Sequence, residues 1–162
     1  SKKNEIKSNR VNYIKGENQN ISVLVKKYKK KINTVFHFGE FSRIHQSFLN
    51  YEECIRSNLK GSFEVATFAT KNNIKIIYSA TSSMLGNLGK DENLSPYSWS
   101  KSKNLELIKN FSKWFGLRYE IVFFYNVYGP GQIKNSDMSA VIGIFESQYE
   151  KGEPLTVVLP GT

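Results

Sequence analysis

Short, unbroken apolar runs alternate along this chain with longer stretches whose apolar residues recur every three or four positions, and that alternation admits few folds. The runs at Val11–Ile14, Thr34–Phe38, Ile74–Tyr78, Tyr119–Tyr125 and Leu155–Val158 have the length and composition of strands. Between them, Ile21, Leu24, Val25 and Tyr28 predict a helix over 21–31, and Ile55, Leu59, Phe63, Ala66 and Ala69 predict one over 51–70. Pro96 opens a long helix where its missing amide proton costs nothing. Leu105, Ile108, Phe111 and Phe115 carry that helix's core face to Gly116, and Met138–Glu150 predicts a further helix. Strands of this length separated by such helices call for parallel pairing, because a parallel connection requires a crossover. The expected fold class is α/β, a doubly wound parallel sheet with helices on both faces, with no internal repeat, linker or domain boundary. Ligands bind such sheets at the carboxyl ends of the strands, so the loops after Phe38, Tyr78 and Tyr125 are where chemistry is sought.

Composition removes several function classes. The single cysteine, Cys54, cannot form an internal disulfide or build a zinc site, which fits a reducing cytoplasm. His37 and His45 have no partners at metal-ligand spacing, so no metal is expected. No apolar run approaches the roughly 20 residues that span a bilayer, so no membrane association and a cytoplasmic location are expected. The formal net charge of +9 could attract a polyanion. Much of the excess sits in Lys26, Lys27, Lys29, Lys30 and Lys31, read as a solvated helix end where cations meet the negative dipole pole. The aromatics are interleaved with apolar rather than basic residues, unlike a base-stacking platform. No nucleic-acid partner is expected, and a non-catalytic basic module for RNA stands as the competing class.

Tyr97 and Lys101 stand four apart at the start of the long helix and so share a face one turn apart. An ammonium beside a phenol favours the phenolate, and a phenol drawn toward neutrality can serve as a general base. In a chain with nine tyrosines and 23 lysines and arginines together, that spacing carries no weight by itself. The segment Tyr78-Ser79-Ala80-Thr81-Ser82-Ser83 supplies context. It sets a cluster of hydroxyls just past a buried strand, at the mouth of the expected crevice, where one could hydrogen-bond a reacting oxygen.

Thr81, then Tyr97-Ser98-Trp99-Ser100-Lys101, then Asn126-Val127-Tyr128-Gly129-Pro130, resemble in order and spacing the extended short-chain dehydrogenase/reductases that act on nucleotide sugars. Val35-Phe36-His37-Phe38 and Asn58-Leu59-Lys60-Gly61-Ser62 extend the resemblance over nearly the whole chain. It is to the NAD-dependent epimerase/dehydratase family, which includes UDP-glucose 4-epimerases, and it implies a Rossmann-like fold, NAD as cofactor, a UDP-sugar substrate and a homodimer. The resemblance makes Thr81, Tyr97 and Lys101 catalytic, with Lys101 also holding the nicotinamide ribose. Cofactor contacts are implied for Glu17, Phe38, Gly39, Glu40, Asn58, Ser79, Ala80, Tyr125 and Val127. Substrate contacts are implied for Thr81, Ser82 and Asn126. Gly39-Glu40 replaces the small pair usual in the family, which would bring a carboxylate close to the pyrophosphate. Leu85 and Phe123 stand where many relatives carry tyrosine and arginine and take no such role.

The activity implied is epimerisation: Tyr97 removes the proton of a sugar hydroxyl while the carbon's hydride passes to NAD, and the hydride returns to the opposite face. Dehydratases of the family carry a carboxylate one or two places after the catalytic threonine. Those places here are Ser82 and Ser83, which favours epimerisation over the alternatives, dehydration or simple reduction. The 162 residues contain no glycine-rich turn of the kind that receives a pyrophosphate at a helix amino end. The expectation is therefore a fragment, incomplete at both ends, lacking a βαβ opening of roughly 30 residues or more. On that expectation residues 1–162 are part of an NAD-binding domain, the substrate region begins at about 127–162, and the fragment alone binds NAD poorly.

Overall fold

The computed structural model describes residues 6–82, 85–125, 127–134, 136 and 139–157. These divide into two compact units, residues 12–124 and residues 1–11 with 125–162. The larger unit contains α1 (Ile21–Leu24), β1 (Thr34–His37), α2 (Ile44–Leu49), α3 (Tyr51–Ile55), α4 (Gly61–Lys71), β2 (Lys75–Thr81), α5 (Pro96–Phe115) and β3 (Tyr119–Phe124). The three strands form a parallel sheet in the order β1-β2-β3. Val35 pairs with Ile76 and His37 with Tyr78, while Tyr78 pairs with Ile121 and Thr81 with Phe124. The α/β class and the parallel sheet are as the alternation of periods requires.

Alternation along β2 places Ile76, Tyr78 and Ala80 on one face. They meet Val65, Ala66, Phe68 and Ala69 of α4 and Ile108 and Phe111 of α5 in one core. Burying a side chain such as Ile76 or Ile108 stabilises the fold by about 1.5–3 kcal/mol each. Both crossovers step the same way along the sheet, and right-handed connections then put both helices on the same side. Within this unit the expectation of helices on both faces is met on one. The opposite face carries Phe36, Ile77, Val122 and Phe124, of which Phe36 is 64% exposed. Phe63 and Phe115, expected in the core, are exposed and meet Phe111 edge-on at its rim.

Local chemistry fixes the ends of α5. The Ser95 side chain accepts a hydrogen bond from the Ser98 amide at 3.0 Å, an N-cap worth about 1 kcal/mol. Pro96 follows at the first helical position, and Gly116 ends the helix with φ 71°, the left-handed conformation that favours glycine. The predicted 51–70 helix is present as α3 and α4 joined by a π-helical stretch, Arg56–Lys60. There the extra residue turns Asn58 fully inward.

Other expectations are corrected. Residues 11–14 have no strand structure: a strand exists only through a ladder with a neighbour, and none of the three strands pairs with this segment. The helix expected over 21–31 is one turn, α1, followed by turns and a 3₁₀ segment at Lys29–Lys31. Repulsion among five clustered lysines opposes its continuation, so the basic patch lies on tight turns rather than at a helix end. The short α2 and the 3₁₀ run Gly86–Asn93 were not apparent from periodicity.

The smaller unit contains α6 (Val141–Lys151), three residues inside the start expected for it; Met138 lies outside the described residues. A Cβ on Gly143 would stand 2.5 Å from the Ile133 carbonyl oxygen, so this position admits only glycine without a backbone shift. Residues 155–157 form no strand. They are tied to α6 instead, the Thr156 amide donating to the Gln148 side chain at 3.2 Å. Val158 is outside the described residues. Among those described, no helix is long and apolar enough to cross a membrane.

Candidate functional site

The carboxyl ends of β1 and β2 and the first two turns of α5 converge in the larger unit. β2 delivers Thr81 as its last residue, and α5 presents Tyr97 and Lys101 one turn apart. The Tyr97 phenol and the Thr81 side chain share a hydrogen bond, so the strand-end hydroxyl and the helix phenol meet. The start of α5 is anchored from α2: the Tyr97 amide donates to the Ser47 hydroxyl at 3.2 Å, and that hydroxyl donates to the Ile44 carbonyl at 2.6 Å.

Lys101 is only 4% exposed. Its ammonium donates to the Glu40 carboxylate and to the Ser79 carbonyl, lies 3.4 Å from the Ser79 hydroxyl, and sits 4.5 Å from the centre of the Tyr78 ring. An ammonium has three donors, and three protein oxygens surround this one. Glu40, expected beside a pyrophosphate, has instead turned inward. The Ser62 hydroxyl donates to its carboxylate at 2.6 Å, the Asn104 amide at 2.7 Å and the Tyr78 phenol at 3.4 Å. His37 Nε2 lies 3.7 Å away. Burial explains the inward turn, since a carboxylate removed from water must be matched by donors and a counter-charge.

The charges correct one expectation. Burial pushes the Tyr97 phenol above its ordinary range, the Thr81 hydrogen bond pulls it down, and the Glu40 charge pushes it up again. The phenol is thus held above its ordinary range rather than drawn toward neutrality, and the Lys101 ammonium beside it is engaged by the Glu40 carboxylate in direct contact. Burial in turn lowers the lysine's own pKa while Glu40 raises it. Free of ligands, the chain therefore holds Tyr97 as the neutral phenol at physiological pH.

The remaining candidates separate by depth. Asn58 is fully buried. Its oxygen accepts from the Phe41 amide at 2.8 Å, and its nitrogen donates to the Phe41 carbonyl at 3.2 Å and to the Ser100 hydroxyl at 2.9 Å. It thus clamps the loop after β1 to α5. Ser79 and Ala80 are buried, Ser82 is half-buried, and Phe38 and Gly39 are exposed. Glu17 is on the surface, accepting from Arg56 at 2.6 Å. Tyr125 and Val127 are exposed residues of the smaller unit, and Asn126 and Ser83 lie outside the described residues. His37, Ser62, Tyr78 and Asn104 were not singled out from sequence. Asn104 had a legible signal: with Tyr97 and Lys101 it occupies one helix face, where an apolar residue would otherwise be expected.

His37 makes the site acid-sensitive. The Ser62 hydroxyl gives its one proton to Glu40, so at 2.7 Å from His37 Nε2 it accepts, and the ring is the Nε2–H tautomer. Burial lowers the His37 pKa below the ordinary 6.5. The unfolded chain takes up a proton near 6.5 and the folded chain does not, so the associated stability is complete above that pH and is lost as pH falls below it. Urea midpoints should therefore drop between about pH 7.5 and about pH 5.5, and His37→Gln should drop less. An equal drop in both would assign the acid sensitivity elsewhere.

Comparison with known proteins gives the setting. Residues 1–162 match the model of the NAD dependent epimerase/dehydratase family. An uncharacterised protein of Methanocaldococcus jannaschii is 29% identical over 141 residues, 79% of this chain and 43% of its own length. The structure of a UDP-N-acetylglucosamine 4-epimerase from Methanobrevibacter ruminantium M1, in complex with UDP-N-acetylmuramic acid, is 29% identical. It aligns over 80% of this chain and 44% of its own, with a TM-score of 0.70. The dTDP-glucose 4,6-dehydratase DesIV of Streptomyces venezuelae, solved with NAD bound, is 19% identical and shows the shared fold. It aligns over 91% of this chain and 47% of its own, with a TM-score of 0.76. The chain spans about half the length of the relatives it matches.

Proposed function

The chain belongs to the NAD-dependent epimerase/dehydratase family, and from that premise we propose that it is part of a nucleotide-sugar 4-epimerase acting on a UDP-sugar. The observation that carries the proposal is the meeting of the Thr81 hydroxyl with the Tyr97 phenol, one helical turn from Lys101. A hydroxyl that orients a substrate oxygen, beside a group able to take or give its proton, is the apparatus of reversible oxidation at a carbinol carbon.

The residues present fit the cofactor of the family. A Cβ built on Gly39 meets nothing within 4 Å, so the loop after β1 leaves room against its backbone, and Lys101 would offer a ribose hydroxyl a donor by releasing one of its protein acceptors. In this proposal Phe38, Gly39 and Lys101 hold the nicotinamide-ribose half. NAD supplies, when bound, a reversible acceptor for two electrons and a proton's worth of hydrogen from the sugar carbon. Tyr97 must first lose its own proton; as the phenolate it would take the proton of the sugar hydroxyl when the carbon is oxidised, and as the phenol so formed it would give it back when the resulting ketone is reduced. Thr81 hydrogen-bonds the same oxygen and holds it in line with the phenol. Most of the advantage is positional, since the reacting atoms must be kept in near-attack contact.

Ser82 supports epimerisation over dehydration: it offers a hydroxyl at a position following Thr81, where elimination of water would call for a carboxylate. The test is incubation of the full-length protein with NAD and UDP-N-acetylglucosamine or UDP-glucose, followed by NMR of the sugar. Interconversion of the axial and equatorial 4-hydroxyl is expected. A product lighter by one water would replace the proposal with a dehydratase.

A further inference from the structure

We propose that Glu40 is a positioning residue of the Tyr97–Lys101 pair: its buried carboxylate takes the Lys101 ammonium and thereby governs how much positive charge reaches the Tyr97 phenol. The inference rests on the reading of Tyr97 and Lys101 as the reacting pair and deepens it.

The geometry is that of a built site. The Glu40 side chain is 3% exposed and that of Lys101 5%, so their contact is shielded from solvent. Four elements hold the carboxylate: Ser62 from α4, Tyr78 from β2, Asn104 from α5, and His37 from β1 at 3.7 Å. Because Ser62 and Asn104 engage the carboxylate oxygen that Lys101 does not, the ion pair is oriented as well as formed. All three ammonium donors have protein acceptors, Glu40 and the two oxygens of Ser79. A ribose hydroxyl can be held by Lys101 only by displacing one of them. Glu40 and a ligand hydroxyl thus compete for one cation, and the charge Lys101 presents toward Tyr97 depends on which has it.

The charged and titratable groups around the phenol agree. On its own helix Tyr97 faces Lys101. From the loop after β1 come Glu40 and Arg43, from α3 Cys54, and from β2 Tyr78, with Thr81 as hydrogen-bond partner. The Glu40 charge raises the phenol pKa and Arg43 lowers it.

The test is an ultraviolet titration of phenolate absorbance in the cofactor-free full-length protein, with Tyr97→Phe subtracted to isolate Tyr97. In Glu40→Gln, which keeps the size and loses the charge, the Tyr97 contribution should move to lower pH. In Glu40→Asp, which keeps the charge, it should stay near that of the wild type. No movement in Glu40→Gln, or equal movement in both variants, would overturn the proposal. If Glu40→Gln does not fold, because an unmatched buried ammonium remains, the wild-type protein decides. A buried, fully bonded Lys101 ammonium should give a slowly exchanging ¹⁵N resonance at neutral pH, identified by its loss in Lys101→Met, and its absence would overturn the proposal. Neither readout needs substrate or turnover, so failure of the epimerase reading and failure of this coupling are separate results.

Discussion

Tyr97→Phe in the full-length protein is expected to lower kcat by about 10²–10⁴-fold while leaving the affinity for NAD within about a factor of three. The substitution removes one oxygen and keeps the ring, so the packing of a half-buried side chain at the start of α5 is preserved. What disappears is the proton carrier, together with the hydrogen bond to Thr81. A group acting in the transition state lowers kcat and kcat/KM together, whereas one that merely binds substrate raises KM. Steady-state kinetics beside a direct NAD titration separate the two. A variant turning over at the normal rate would remove Tyr97 from the mechanism, and one that lost NAD affinity with its rate would make Tyr97 a binding residue.

Asn58→Leu is expected to destabilise the protein by about 3 kcal/mol, read as a lower urea midpoint with unchanged slope. Leucine fills the volume but leaves the Phe41 amide, the Phe41 carbonyl and the Ser100 hydroxyl without the partner that Asn58 gives all three. Each sits in a part-buried or buried position where water is a poor substitute. The damage should reach the site, because Phe41 follows Glu40 and the same clamp fixes where the carboxylate meets Lys101. A loss below about 0.5 kcal/mol would show that water replaces the amide and that the loop holds its place without it.

Several features were legible because they depend on residues close in sequence. The α5 helix follows from Pro96, the recurrence of Leu105, Ile108 and Phe111, and Gly116, and its boundaries match the expectation within a residue. The pairing of a phenol and an amine on one face follows from their spacing, and the Thr81 hydroxyl from its place at the end of an apolar strand. Other features were illegible for an equally physical reason. The run at 11–14 has strand composition, but nothing local decides whether a neighbour will pair with it. The 21–31 segment has helical spacing, and its half-buried Ile21, Leu24, Val25 and Tyr28 do face inward, yet the lysines between them prevent a continuous helix. The π-helical stretch at Arg56–Lys60 leaves no mark on the periodicity of Ile55, Leu59 and Phe63, although it sets the direction of Asn58.

Glu40 marks the division most clearly. Its sequence shows a carboxylate in a loop after the first strand, where the resemblance leads one to expect small residues, and the inference drawn was a charge exposed to a pyrophosphate. Folding brings Lys101 from 61 positions away and Asn104 from 64, and a buried carboxylate so matched is held inside. The amino-acid sequence alone determined the alternation of elements, the parallel sheet and the identity of the groups able to carry protons. Tertiary structure alone decided which charges neutralise one another, because electrostatic interaction depends on distance and desolvation, and both arise only when segments remote in sequence pack together.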